Sequence, residues 1–371
     1  MNTRNRDLIG SSTRGARSRL LAGLCLLSVV AAGCGSAPTT TPASTASAAT
    51  ATAAAAVPST PPVTAAPAPT AAPTADPVVA VRRPIDQLGS RLLATVDVGG
   101  EPEWIGAGLD SIWVTNRSLG LVQQVDPTTN AVVASIKVNE PCNGFAVAFD
   151  AVWTASCADQ ALIRIDPKLH KVTDRISTPI AADGEGQVAA GFGSIWIAGG
   201  DGQLHRIDGK SNAVVASIVI PGGADAIVAG TDAIWITHPD GNEVIVVDPA
   251  TNTVARRIAV GPHPQFLAAS PTGIWVLNQD DGTVSRIDPA TGAVQTIATH
   301  STGRDVGCIG AGLDAAWVTV PKLPLTRIDA GTGAVTEQFS GFGGDCLTTG
   351  FGSVWLVNNA FGTVSRIAPP N

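Results

Sequence analysis

A chain of 371 residues with a net charge of −7 and a pI near 5.2 lacks the basic surface that nucleic-acid binding requires. Charged residues make up only 14%, Gly numbers 40 and Tyr is absent, which suits tight turns between dry strands rather than helices.

The first segment reads as an export address. Arg4, Arg6, Arg14, Arg17 and Arg19, against Asp7, lead into an apolar run from Leu20 to Ala32. That run is too short for a stable membrane span and right for the core of a signal peptide. Small residues Ala31, Ala32 and Gly33 then precede Cys34, whereas the bulky Leu24 precedes Cys25. Residues 1–34 resemble a bacterial lipoprotein signal, which implies that Cys34 becomes the lipid-bearing first residue; the alternative is ordinary secretion with Cys34 unmodified. Removal of this segment deepens the net charge to about −11. Residues 35–88 follow as a linker, most of it Ala, Pro, Thr and Ser. Such a stretch buries too little apolar surface to offset its ordering entropy, so it is expected to be disordered and to act as a tether.

From 89 to 371 the chain repeats. Trp113, Trp153, Trp196, Trp235, Trp275, Trp317 and Trp355 fall 38 to 43 residues apart, in the phrases SIWVTN, AVWTAS, SIWIAG, AIWITH, GIWVLN, AAWVTV and SVWLVN. A period near 40 built from short alternating apolar segments predicts an all-β, seven-bladed β-propeller with four strands per blade. In the repeat of Trp275 the strands read QFLAAS, GIWVLN, TVSRID and AVQTIAT. The third and fourth strands are joined by DPTTN, DPKLH, DGKSN, DPATN, DPATG and DAGTG, where Asp and Pro open a turn and Asn or Gly takes the left-handed position. The last repeat stops after FGTVSRI without its outer strand, while RLLATVDV at 91–98 matches an outer strand with no hairpin before it. The N-terminal strand is therefore expected to complete the blade of Trp355 and close the ring.

The periodic tryptophans are expected between neighbouring blades. Trp104 stands apart, nine residues before Trp113 on an inner strand, where the other repeats carry Gly144, Gln187, Ala226, Phe266, Cys308 and Cys346. Cys142 and Cys157 stand at adjoining ends of one hairpin and predict a disulfide. Cys308 and Cys346 hold the same position in successive repeats, which makes an inter-blade bridge feasible. In an exported chain, bridges are the first reading of such cysteines, and no zinc spacing is present.

Repeats such as GTVSRIDPATGAV with GIWVLN resemble those of the YVTN/YncE-like propellers of bacterial exported proteins and of the streptogramin (virginiamycin B) lyase-like propellers. The second resemblance implies a His base and an acidic Mg²⁺ site at one mouth of the ring. None of those catalytic positions carries over residue by residue, and 339–371 contains no His.

One face gathers the loops that enter the inner strands and those between second and third strands. It collects Glu103, Trp104, Asp225, His238, Asp240, His263, Asp280, Asp281 and Asp345, with Glu185, Arg304 and Asp305 among its other charges. These residues are the candidate ligand face. Acidic residues beside Gly are ordinary turn chemistry, whereas His238 and His263 with Asp240, Asp280 and Asp281 would serve as base and cation ligands if they converged. No GxSxG, HExxH or phosphate loop occurs, so no catalytic or metal residue is assigned. The expectation is a monomeric, extracytoplasmic, membrane-anchored binding or scaffold module without cofactor. Its partner would be a protein, a cell-wall polymer or a small molecule, and nucleic acid is excluded. The alternative is a Mg²⁺-dependent C–O lyase.

Overall fold

The computed structural model describes residues 82–181, 186–301 and 307–370, excepting the Asn143 side chain. The signal segment, Cys34 and the linker through residue 81 lie outside the described residues, as do Glu185, Arg304 and Asp305.

Seven antiparallel sheets form the ring, spanning 102–137, 141–177, 188–219, 227–259, 264–298, 308–340 and 347–367, hereafter blades 1 to 7. In blades 1 to 6 the four strands are consecutive in the chain, and the first strand of every blade lines a central cavity. Blade 7 has three strands of its own. Its fourth is Leu92–Asp97 from the N-terminal side, antiparallel to Thr363–Ile367 with Val96 opposite Val364. The amides of Val98 and Gly99 both donate to the Gly362 carbonyl at 2.9 Å, extending that seam.

The described residues also reach into the segment read as linker. Arg82–Pro84 adds a parallel fifth strand to blade 6, opposite Gln338, Phe339 and Ser340, and a 3-10 helix at Ile85–Arg91 buries Leu88. Arg91 then clasps Glu337 with one guanidinium nitrogen at 2.8 and 3.0 Å and donates Nε to the Ala368 carbonyl at 2.9 Å. The sequence masks this strap because its partner lies 256 residues away.

Apolar burial holds the ring together one interface at a time. All seven periodic tryptophans are fully buried. Trp113 packs with blade 2, Trp153 with blade 3, and so on round to Trp355, which packs with Val98, Ile105, Ile112 and Val125 at the join of blades 7 and 1. Six of the indole nitrogens are satisfied five residues back: by the carbonyls of Gly108, Ala148, Gly191, Gly312 and Gly350, and by Ser270 Oγ, at 3.0 to 3.1 Å. Over six of the seven indoles lies a guanidinium: Arg164, Arg206, Arg256, Arg286, Arg327 and Arg366, with Cζ 4.8 to 5.8 Å from the ring centre. Four of these reach carbonyls in the next blade: Arg206 that of Pro249, Arg256 that of Pro289, Arg286 that of Gly331, and Arg366 that of Pro127. The stacked arginine is thus a staple as well as a cation–π partner. Blade 1 has Gln124 opposite Trp113 in place of the arginine.

The outer turns have a common electrostatic design. Asp126, Asp166, Asp208, Asp248, Asp288 and Asp329 each accept backbone amides two or three residues on, and these bonds hold every one of the six carboxyls below the ordinary 3.8. The residue ending each turn is left-handed, and that is where His170 sits, at φ 50°. Because these pKa values are depressed by folding, their stabilisation is present above pH 3.8 and is lost as pH falls through the lower folded values. The urea midpoint should hold steady from neutrality down to about pH 5 and then drop. Replacing Asp126, Asp208 and Asp288 together by Asn should flatten the drop; an unchanged acid limb would sink this account.

Candidate functional site

The first strands of all seven blades enclose an axial cavity of about 400 Å³. Among the described residues its side chains are apolar and mostly small, with Trp104, Phe145 and Phe266 the aromatic members and Thr348 the polar one. Trp104 is half-buried, and its amide donates to Thr115 Oγ1 at 3.0 Å. The ring reaches from blade 1 towards blade 5, where Phe266 lies with its centroid 6.1 Å away and tilted by 57°. Gly144 and Gly186, left-handed at φ 83° and 67°, lie next to the ring: a Cβ on either would meet the indole at ordinary contact distance, 3.6 and 3.4 Å, so it is the backbone conformation that favours glycine there. A disulfide between Cys308 and Cys346, Cα atoms 4.8 Å apart, joins blades 6 and 7 at the cavity wall. A second disulfide links Cys142 to Cys157 across the hairpin of blade 2, with Cα atoms 6.0 Å apart.

Several of the histidines and carboxylates of the loop face are engaged in local structure. His238 Nδ1 lies 2.9 Å from Glu243 Oε1, and Arg257 closes on the same oxygen while donating to the Pro221 carbonyl at 2.7 Å. The reason is visible in the repeat. His238 falls three residues after its tryptophan, where Asn116, Asn278 and Asn358 stand in blades 1, 5 and 7. Asn278 and Asn358 use that position to bond Thr283 and Thr363 across the same hairpin, as His238 does with Glu243. His238 is therefore the blade 4 version of a strand-joining peg. Asp225 accepts the Gln265 amide at 2.5 Å. Asp281 accepts the amide and hydroxyl of Thr283 at 3.0 and 2.7 Å and so closes its own turn. His263 is left-handed at φ 53°, and its backbone amide donates to Asn242 at 2.9 Å. Asp240 and Asp280 are exposed, and Glu103 is half-buried beside Trp104.

Asp345 differs electrostatically. It keeps an exposed edge but is crowded by protein, and the resulting desolvation raises its carboxyl above 3.8 although the Asn359 amide, at 2.6 Å, pulls the other way. Among the described residues, no three His, Cys, Asp or Glu side chains gather closely enough to hold a metal ion.

Sequence reasoning placed Asp201 among the loop-face carboxylates and His205 on a third strand but missed the polar chain that joins them. His205 lies between Asp201 Oδ1, 3.2 Å from Nε2, and Ser217 Oγ, 2.9 Å from Nδ1. Register explains it: His205 and Ser217 are directly paired across the third and fourth strands of blade 3. None of the three lines the axial cavity, and the chain serves as a cross-strand brace. Placing His205 opposite Ser217 in an alignment of the hairpins would have found it.

These features define a seven-bladed β-propeller whose axial cavity is roofed by an aromatic side chain. It is similar to a solved streptogramin B lyase, with TM-score 0.62 over 73% of this chain and 93% of the lyase, at 15% identity. At that identity the likeness establishes the shared fold alone. No protein-family model matches the sequence, and no curated protein matches it either.

Proposed function

We propose that this protein is an extracytoplasmic, membrane-anchored propeller that works as a binding or scaffold module. The observation that carries this reading is the occupation of His238, Asp225 and Asp281 by local structure. A C–O lyase needs a base within hydrogen-bond reach of the proton it removes, beside groups that stabilise the leaving oxygen. Here His238 is a hairpin peg to Glu243, Asp225 is taken by Gln265 and Asp281 by its own turn. The signal-like segment and the Pro- and Ala-rich tether support placement outside the cytoplasm, held off a membrane through Cys34.

Two measurements test the proposal. Cys34→Ser should move the protein from the membrane fraction to the soluble exported fraction, and unchanged retention would remove the anchor. The purified chain should show no Mg²⁺-dependent turnover of a cyclic ester; turnover that is lost in His263→Ala would replace the module reading with the lyase.

A further inference from the structure

The axial cavity has no assigned occupant, and its chemistry narrows the choice. Among the described residues that line it none is Asp, Glu, Lys, Arg or His, so a buried ionic group would find no partner among them. Its volume of about 400 Å³ falls in the range of small-molecule sites. Each first strand is the innermost member of its sheet, leaving backbone donors and acceptors along the axis as orienting groups. At the mouth, Trp104 lies beside Gly144 and Gly186 on one side and meets Phe266 on another, yet stays partly exposed. The other seven tryptophans are fully buried. A large aromatic ring left partly open to solvent, flanked by two glycines and paired at a tilt with another ring, is a stacking platform with one place unfilled.

We infer that the cavity beneath and beside Trp104 is a binding site for an uncharged aromatic small molecule, which stacks on Trp104 and Phe266 and takes backbone hydrogen bonds from the first strands. This deepens the binding-module reading and rests on it. The site lies on the ring axis, and none of the loop carboxylates and histidines described above lines it.

The probe is N-phenyl-1-naphthylamine, an uncharged aromatic fluorophore, titrated into the full chain. Saturable one-to-one fluorescence enhancement is expected, together with protection of Trp104 from iodide, since Trp104 is the tryptophan that solvent reaches. Trp104→Ala should weaken binding by about tenfold, the upper value for a lost aromatic pair. An anionic naphthalene sulfonate of similar size should bind at least about tenfold more weakly, because none of the described lining residues is a cation. Ala226→Leu narrows the mouth and Thr348→Leu fills the cavity, and either should abolish the signal; the second serves if the first does not fold. Equal affinity for the anionic probe, unchanged binding in a folded filled variant, or no saturable binding by the wild type would overturn the inference. None of these results bears on membrane release or ester turnover, so the site can fail while the module reading stands.

Discussion

A chain lacking residues 89–98 is expected to lose cooperative folding, whereas one lacking 35–80 should unfold at nearly the wild-type temperature. The first deletion removes the outer strand of blade 7, including Val96 and Val98, both nearly fully buried in the core that joins blades 7 and 1. Two buried valines contribute about 3–6 kcal/mol. The deletion also removes the pairing of Leu92–Asp97 with Thr363–Ile367 and the Arg91 clasp on Glu337. The total rivals the whole stability of a typical domain, about 5–15 kcal/mol. It also exposes a strand edge, which favours aggregation. Thermal unfolding followed by circular dichroism, with light scattering, checks both chains. Similar behaviour of the two deletions would show that the N-terminal strand does not hold the ring shut. Deleting 82–88 alone gives an intermediate case, because it removes the strap on blade 6 and Leu88 but leaves the seam of blade 7.

The ring itself was legible because a propeller repeats one local problem. Each blade must present a large apolar side chain to the next at the same point of its second strand, so the tryptophans mark the period. Each outer hairpin needs an Asp to bind amides and a left-handed residue to finish, so the turns mark the phase. Interactions that cross the repeat were harder to read. The bond from Arg206 to Pro249 spans 43 residues, and arginine in TVSRID-like strands looks solvated when a strand is considered alone. The strap at 82–84 lies in the stretch read as linker, although its charged RRPID text departs from the Ala-, Pro- and Thr-rich sequence before it, and its pairing with 338–340 leaves no local trace. His238 and His263 drew attention as titratable residues on adjacent blades. Comparing positions relative to each tryptophan shows instead that His238 substitutes for asparagine in a repeated hairpin bond. Trp104 was identifiable as an exception to the pattern, but its neighbours Gly144, Gly186 and Phe266 are supplied by three other blades.

Trp196→Ala is expected to destabilise the protein by about 3–5 kcal/mol, since it empties a fully buried volume between blades 3 and 4 and leaves the Gly191 carbonyl without its indole donor. Arg206→Ala should cost about 1–3 kcal/mol by a different route, through bonds to Pro249 at 2.6 Å and Asn252 at 2.9 Å in blade 4 and to Ser194 at 2.8 Å in blade 3. The guanidinium centre also lies 4.8 Å from the Trp196 ring centre, so the two residues share an interaction that either change destroys. The double variant should therefore be less destabilised than the sum of the singles, by about 0.5–2 kcal/mol. Urea unfolding of the four proteins closes the cycle, and strict additivity would show that the stacked arginine acts only through its hydrogen bonds. Arg206→Lys separates the two contributions further. A lysine keeps the charge over the indole but lacks the planar fork that reaches two acceptors in the next blade, so its loss should approach that of Arg206→Ala if stapling dominates. Blade 1 offers the converse experiment. Gln124→Arg places a guanidinium opposite Trp113, and a gain of about 0.5–1 kcal/mol there would show that the staple stabilises any blade that carries it.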